Sequence, residues 1–196
     1  MRPELLTHPN IPKPLHGVNP RSVMGKEWWD IKRQFSYATN NYHCWACGCH
    51  KSQDKFHNWL EAHESYTTDY AKGSAELNEI VALCHSCHNF IHSGKLSMDL
   101  RAGRITTDKA LYILKRGFHI LKQAGLKPFH GTCHVYCQIM CDLGNDVSHL
   151  AENVFNIEQQ QKTRMQQDWS KWHLVIDGKK HFGKFKSQKQ WEQYYA

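Results

Sequence analysis

The chain lacks any long hydrophobic run, since no stretch approaches the roughly 20 apolar residues that a membrane-spanning helix needs. Its first residues also lack the basic stretch followed by an apolar one that marks an export signal. We therefore expect a cytoplasmic protein of 196 residues that makes no contact with a membrane. No internal repeat is visible in the sequence.

Acidic residues are in short supply, with 18 against 25 lysines and arginines, for a formal net charge of +7. The imbalance is confined to one half of the chain. Residues 1–100 carry ten groups of each sign, so the whole excess lies in residues 101–196. A basic half is typical of chains that bind nucleic acid, although the same charge can simply keep a surface solvated.

Histidine and cysteine, by contrast, are abundant, with 15 and 8 residues. A secreted disulfide framework would use eight cysteines, but chains of that class are usually shorter and carry an export signal. Metal binding is the more typical use of cysteine and histidine in an intracellular chain.

Two Cys-x2-Cys pairs are separated by 36 residues. Their members are Cys44, Cys47, Cys84 and Cys87. Two such pairs can close one tetrahedral zinc site, because each pair supplies two corners of the tetrahedron. Gly48 suits a turn that ends at the first pair, although Cys49 and His50 are near enough in sequence to replace a ligand.

Three histidines near these pairs are candidate functional residues. A short helix is predicted from His85 to Ser93, and on it His88 and His92 are spaced i, i+4, so that they share one face. His63 lies in the sequence Glu-Ala-His-Glu, where an imidazole flanked by carboxylates can act as a general base or a metal ligand.

This order of motifs resembles the HNH endonucleases of the ββα-metal, or His-Me finger, superfamily, over residues 42–93. The resemblance implies a two-stranded β-hairpin packed on one helix, with a structural Zn²⁺ bound by the four cysteines. It also implies one catalytic divalent cation, Mg²⁺, Mn²⁺, Ni²⁺ or Zn²⁺, at the helix positions that His88 and His92 match. The expected activity is metal-dependent hydrolysis of DNA phosphodiesters, by nicking or double-strand cleavage, in a protein often carried by phage or mobile elements.

The resemblance leaves two roles open for His63. In one register His63 is a metal ligand and Glu64 occupies the position of the base. In the other His63 is the base, and Glu61 or Glu64 must bind the metal. We favour His63 as the general base, because a neutral imidazole with a pKa of about 6.5 is the better proton acceptor at neutral pH.

The third motif position departs from the family pattern. Where the family usually places asparagine, this chain has Glu79, and Asn78 lies one residue early. Asn78 could support the base-bearing loop through a bulge, or Glu79 could orient His63. Two alternatives to the endonuclease therefore stay open: a zinc module that binds nucleic acid without catalysis, and a branched-DNA resolvase of the same superfamily.

The rest of the chain is predicted to flank this core. Prolines concentrated in residues 1–25 favour an extended arm. Hydrophobic periodicity predicts helices, and alternation predicts strands. The predicted helices cover residues 26–39, 106–125, 133–141 and 148–166, and the predicted strands cover 56–63, 78–83, 172–176 and 182–185. The dipeptide Asp177-Gly178 predicts a tight hairpin turn, and Ser187 with Gln190 predicts the capped start of a last helix.

These elements predict an α+β protein with a small zinc-bound ββα-metal core, flanking helices and a C-terminal β-hairpin plus helix. The predicted segments are an arm (1–25), an HNH-like domain (26–100), a helical region (101–168) and a basic hairpin with helix (169–196). Four lysines near the hairpin are candidate contacts to DNA phosphates. They are Lys179, Lys180, Lys184 and Lys186. The chain would act on DNA as a monomer or homodimer.

A last pattern is a stripe of cysteines at helical spacing. Its members are Cys133, Cys137 and Cys141. A second metal site is one interpretation, but small thiols at a helix interface are the more ordinary one.

Overall fold

The computed structural model of the protein describes residues 1–8, 11–147 and 165–195. The architecture is α+β, as predicted, with a four-stranded sheet in the order β1-β2-β3-β4. The strands are β1 (Glu61–Asp69), β2 (Ser74–Leu83), β3 (His173–Ile176) and β4 (Lys179–Phe182). The helices are α1 (Pro20–Met24), α2 (Lys26–Thr39), α3 (His85–Ile91), α4 (Ser93–Arg101), α5 (Thr107–Gln123), α6 (His130–Asp142) and α7 (Gln188–Tyr195). Most of the predicted helix 148–166 lies outside the described residues.

The sheet consists of two strand pairs joined by a short parallel ladder. β1 and β2 are neighbours connected by a four-residue turn, and β2 pairs in parallel with β3, Ser74 opposite His173. β3 and β4 are antiparallel, and Ile176 pairs with Lys179 across the two-residue turn. Asp177 and Gly178 both have positive φ, at 49° and 74°. This confirms the predicted hairpin, because tight turns of this kind require positive φ at both central positions.

Three predicted strands begin several residues away from the predicted start. β2 starts at Ser74, four residues earlier than predicted. β4 starts three residues earlier than predicted, because the tight turn fixes its pairing with β3 immediately after Gly178. β1 starts at Glu61, five residues later than predicted. The residues before it make aromatic contacts instead of a ladder: the Phe56 ring meets Tyr112 at 5.4 Å, and His57 stacks on Trp59 at 4.1 Å.

The N-terminal segment is not the extended arm that its prolines suggested. It forms 3-10 turns at Pro3–Thr7 and Lys13–Leu15 and the short helix α1. Each of these begins with proline at its first or second position. Proline is tolerated there because its fixed φ suits the first helical turn and its missing donor would be unpaired anyway.

The helix predicted from His85 to Ser93 is shorter than expected. α3 already ends at Ile91, where His92 adopts ψ 44°, and Gly94 lies inside the first turn of α4. By contrast, the prediction for α5 is confirmed at both ends. Thr106 caps it by accepting a hydrogen bond from the Lys109 amide, and Gly125 follows it with φ 68°.

The chain forms two compact units, each built from non-contiguous segments. The first comprises Met1–Asn10, Tyr37–His63 and Ala82–Gln159. Its α3 packs closely on α5, where the fully buried Phe90 ring lies against Gly117. The first 3-10 turn, which buries Leu5 and Leu6, packs against both helices. These contacts fix the position of α3.

The second unit comprises Ile11–Ser36, Glu64–Val81 and Gln160–Ala196. Its core is an apolar cluster around the fully buried Trp172. The other buried members are Leu15, Val18, Ala75, Leu174 and Ile176. The predicted last helix is α7, and the Ser187 hydroxyl accepts a hydrogen bond from the Gln190 amide at its start. Within the described ranges, no helix has the length and apolar character needed to cross a membrane.

Candidate metal centres

The two Cys-x2-Cys pairs come together as the sequence predicted. The sulfurs of Cys44, Cys47, Cys84 and Cys87 all lie within 4.8 Å of one another, close enough to hold a metal ion. A tetrahedral zinc site with Zn–S bonds of about 2.3 Å separates its sulfurs by about 3.8 Å. The Sγ atoms of Cys47 and Cys84 are 3.8 Å apart, so the donor set and its spacing suit zinc.

Backbone geometry brings each pair into position. The first pair lies in a tight turn, in which the Gly48 amide donates to the Cys44 carbonyl at 2.8 Å. Gly48 has φ 73°, a left-handed conformation that glycine adopts without a steric penalty. The second pair begins α3, with Cys84 as its N-cap. The Trp45 amide donates to the Ala82 carbonyl at 2.9 Å and ties the two segments together.

Arg116, on α5, supports the cysteine cluster from one side. Its Nη2 lies 3.5 Å from the Cys47 sulfur. Burial disfavours the charge of Arg116, but the hydrogen bond to Cys47 and the attraction of the neighbouring cysteine sulfurs together outweigh burial and raise the Arg116 pKa. Hydrogen bonds from the neighbouring thiols, from Cys44 above all, lower the Cys47 pKa. The same contacts raise the pKa of Cys84 and Cys87, so within the cluster Cys47 is a cysteine that favours thiolate, the form that binds metals.

A second group of ligands, the His63 cluster, consists of His63, His88 and His92. One ring nitrogen from each lies within 4.8 Å of the other two, and His63 Nδ1 is 3.2 Å from His92 Nε2. His63 comes from β1, whereas His88 lies on α3 and His92 ends it one turn later. His88 and His92, the pair predicted from its i, i+4 spacing, therefore lie next to His63 of β1.

Burial keeps the His63 cluster in its uncharged form. His63 is only 4% exposed, and its Nε2 has no hydrogen-bond partner among the described residues. Burial, together with the neighbouring His92 and His88, lowers the His63 pKa far below its ordinary value. Burial likewise lowers the His92 pKa to about 3. Neutral imidazole is the form that binds metals, so both rings are ready for a ligand role at neutral pH.

Glu61 connects β1 to two histidines of α3. Its two carboxylate oxygens each lie 2.6 Å from an Nδ1 atom, Oε1 from His85 and Oε2 from His88. Burial alone would raise the Glu61 pKa, but these two hydrogen bonds outweigh burial and lower it. Glu61 and His63 face the same side of β1, because side chains two residues apart share one face of a strand.

His85 is a site residue that the sequence analysis missed. The spacing i, i+3, i+7 of His85, His88 and His92 places all three on one helical face, and this signal was available in the sequence. The Asp54 carboxylate accepts a hydrogen bond from the His85 amide at 3.1 Å, which satisfies one of the unpaired donors at the start of α3. His57 was also missed, because it lies outside any regular element.

The other predicted supporting residues lie elsewhere. Glu64 follows His63 on β1, so alternation directs it to the opposite face of the strand. Asn78 exchanges hydrogen bonds with Thr67, with Nδ2 3.1 Å from the Thr67 hydroxyl. Within the ranges that the structure describes, the clusters close enough to share a metal ion include neither Glu64 nor Glu79.

The four candidate DNA-binding lysines are all exposed but differ in their surroundings. Lys179 and Lys180 lie on β4. The Lys184 ammonium lies over the Tyr194 ring at 3.7 Å, and Lys186 donates to the Gly183 carbonyl at 3.0 Å.

The cysteine stripe lies on α6, as its spacing predicted. Burial raises the Cys133 pKa to about 11, which favours the protonated thiol over the thiolate that a metal needs. Within the described part of the chain, no potential metal cluster includes Cys133, Cys137 or Cys141. Cys133 and Cys137 are half-buried, whereas Cys141 is exposed and does not lie at a helix interface as the ordinary interpretation expected.

Comparison of the chain with protein-family models, curated proteins and solved structures gives no match.

Proposed function

We propose that the protein is a metal-dependent DNA endonuclease of the HNH type. In this proposal one divalent cation is held by His63, His88 and His92, and the four cysteines hold a structural zinc ion. The observation that carries the proposal is the convergence of these three histidines from β1 and α3, with His88 next to the zinc-ligand candidate Cys87 in the chain. The succession of two paired strands and one helix is the arrangement that the sequence resemblance implies.

We assign His63 as a ligand rather than the base that the sequence favoured. Two atoms that bind the same ion with bonds of about 2.1 Å lie roughly 3–4 Å apart, and His63 Nδ1 is 3.2 Å from His92 Nε2. A general base needs access to the attacking water, whereas His63 is almost fully buried. This assignment keeps the ligand role that the first register gave His63. It does not keep Glu64 as the base, because alternation along β1 directs Glu64 to the opposite face of the strand.

The chain's own residues would orient the ligands and keep them neutral. Glu61 Oε2 accepts a hydrogen bond from His88 Nδ1, which leaves Nε2 of that ring for the ion. A carboxylate behind a ligating imidazole fixes its tautomer and raises its basicity. A divalent ion bound there would polarise the scissile phosphate and stabilise the leaving oxygen.

The basic half of the chain would supply the contacts that hold DNA. Lys179 and Lys180 can each neutralise a phosphate, and each such contact adds about 0.9 to the slope of log K against log salt concentration. A Lys179→Gln, Lys180→Gln double variant should therefore lower that slope by about 2. A slope equal to that of the wild type would show that the hairpin does not contact DNA.

Plasmid cleavage tests the proposed activity. Zinc-loaded protein is incubated with supercoiled DNA and Mg²⁺, Mn²⁺ or Ni²⁺, beside His63→Ala, His88→Ala and, as a matched control, His134→Ala on the exposed side of α6. We expect metal-dependent nicking that is lost in the first two variants and kept in the third. Absence of cleavage with every metal while DNA binding persists would refute the endonuclease and favour the non-catalytic zinc module.

Two further measurements refine the outcome. If His63 is a ligand, His63→Ala should weaken Mn²⁺ binding in isothermal titration calorimetry as well as abolish nicking. Unchanged Mn²⁺ affinity with nicking lost would restore His63 to the role of base. Preferential cutting of a four-way junction over linear duplex would support the resolvase instead.

A further inference from the structure

Beside the His63 cluster lies a second group of potential ligands, which we call the His57 cluster: His57, Glu61 and His85. One ligand atom from each residue lies within 4.8 Å of the other two. We propose that the His57 cluster binds a second divalent cation, separate from the ion assigned to the His63 cluster. The proposal concerns metal binding and holds whether or not the protein cleaves DNA.

The donor types fit a transition-metal ion. Two imidazoles and one carboxylate form a ligand set that Zn²⁺, Mn²⁺, Ni²⁺ and Fe²⁺ all accept, and it leaves further coordination positions free. His57, Glu61 and His85 are each half-buried, so solvent or a substrate can reach those positions. An ion there would replace the direct contact of 2.6 Å between His85 Nδ1 and Glu61 Oε1.

The surrounding residues hold both histidines in place without an ion. The His57 ring stacks on Trp59, with centroids 4.1 Å apart and planes 15° from parallel, and it meets the His85 ring edge-on at 4.1 Å. His85 is fixed at the start of α3 by Asp54, which accepts from its amide. Preorganised ligands lose little conformational freedom on binding, and this favours metal affinity.

Glu61 joins the two clusters. Its Oε1 faces His85 in the His57 cluster, and its Oε2 faces His88 in the His63 cluster. One carboxylate would thus serve as a ligand of the second ion and as the partner that orients His88 for the first. This double role explains why a carboxylate rather than an apolar residue lies at this half-buried position between two histidines.

Metal stoichiometry tests the proposal. The 196-residue chain with its cysteine cluster loaded with zinc is titrated with Mn²⁺, by calorimetry and by equilibrium dialysis with elemental analysis. We expect two Mn²⁺ per wild-type chain in addition to one zinc. His57→Gln and His85→Gln should each reduce the count to one, and His134→Gln should leave two.

The variants also separate this proposal from the proposed function. His63→Gln should likewise leave one Mn²⁺, bound at the His57 cluster, so the double variant His57→Gln, His63→Gln should bind none. One Mn²⁺ per wild-type chain, unchanged in His57→Gln, would overturn the second site whatever the cleavage assay shows. Retention of one zinc in every variant verifies that the fold persists.

Discussion

Replacing Gly117 by alanine should destabilise the protein, although alanine is the better helix former. Gly117 lies in the middle of α5, where an added Cβ would come within 2.1–2.4 Å of three atoms of the Phe90 ring. An ordinary contact begins at 3.4 Å, so the fully buried ring would have to move by more than 1 Å. Overpacking of this severity costs about 3 kcal/mol, and the gain in helix propensity offsets about 1 kcal/mol of it.

The net loss of about 2 kcal/mol corresponds to a fall in Tm of about 4–8 °C for a chain of this size. Calorimetry of the zinc-loaded protein would measure it. Gly94 offers a matched control, because it lies in α4 with no atom within 4 Å of the added Cβ. Gly94→Ala should therefore raise stability by about 0.5–1 kcal/mol through propensity alone.

The same reasoning predicts a rescue. Phe90→Leu alone should lower the stability by removing packing contacts, but it makes room for a methyl group at position 117. The double variant Gly117→Ala, Phe90→Leu should therefore be more stable than the sum of the two single effects implies. A Gly117→Ala variant as stable as Gly94→Ala would refute the close packing of α3 on α5. Because Phe90 lies between His88 and His92, Gly117→Ala should also weaken Mn²⁺ binding at the His63 cluster.

Two further predictions concern the metal ligands. Arg116→Gln should lower zinc affinity by about tenfold, because residues that hydrogen-bond to metal ligands typically change metal affinity by about 10–100-fold. Lys115→Gln, a control at an exposed position of the same helix, should leave zinc affinity unchanged. Competition with a chromogenic chelator measures both affinities. The free energy of unfolding should decrease as the pH is lowered below about 6.5. The reason is that His92 has a pKa of about 3 in the folded state but takes up a proton when the chain unfolds. Between pH 7.5 and pH 5.5 the wild type should lose about 1 kcal/mol more than His92→Gln in urea unfolding, and equal losses would contradict the buried neutral state.

Sequence reasoning was most successful where a local pattern has one physical meaning. The Cys-x2-Cys spacing, the Asp177-Gly178 turn and the amphipathic α5 each depend on interactions within a few residues, and all three are confirmed. It failed where a neighbour in space decides between local options. Prolines allow both an extended arm and helix starts, and the burial of Leu5 and Leu6 favours the helical turns.

The candidate site divides in the same way. The sequence alone determined the identity and spacing of the four cysteines and of His88 and His92, because ligand pairs on one turn or one helical face are local features. Only the tertiary structure buried His63 and brought Glu61, His57 and His85 together. The physical reason is burial. Packing of β1 against α3 removes water from His63, lowers the His63 pKa and places Glu61 between two imidazoles. These residues are distant in sequence, so the effects arise only when the fold brings them into contact.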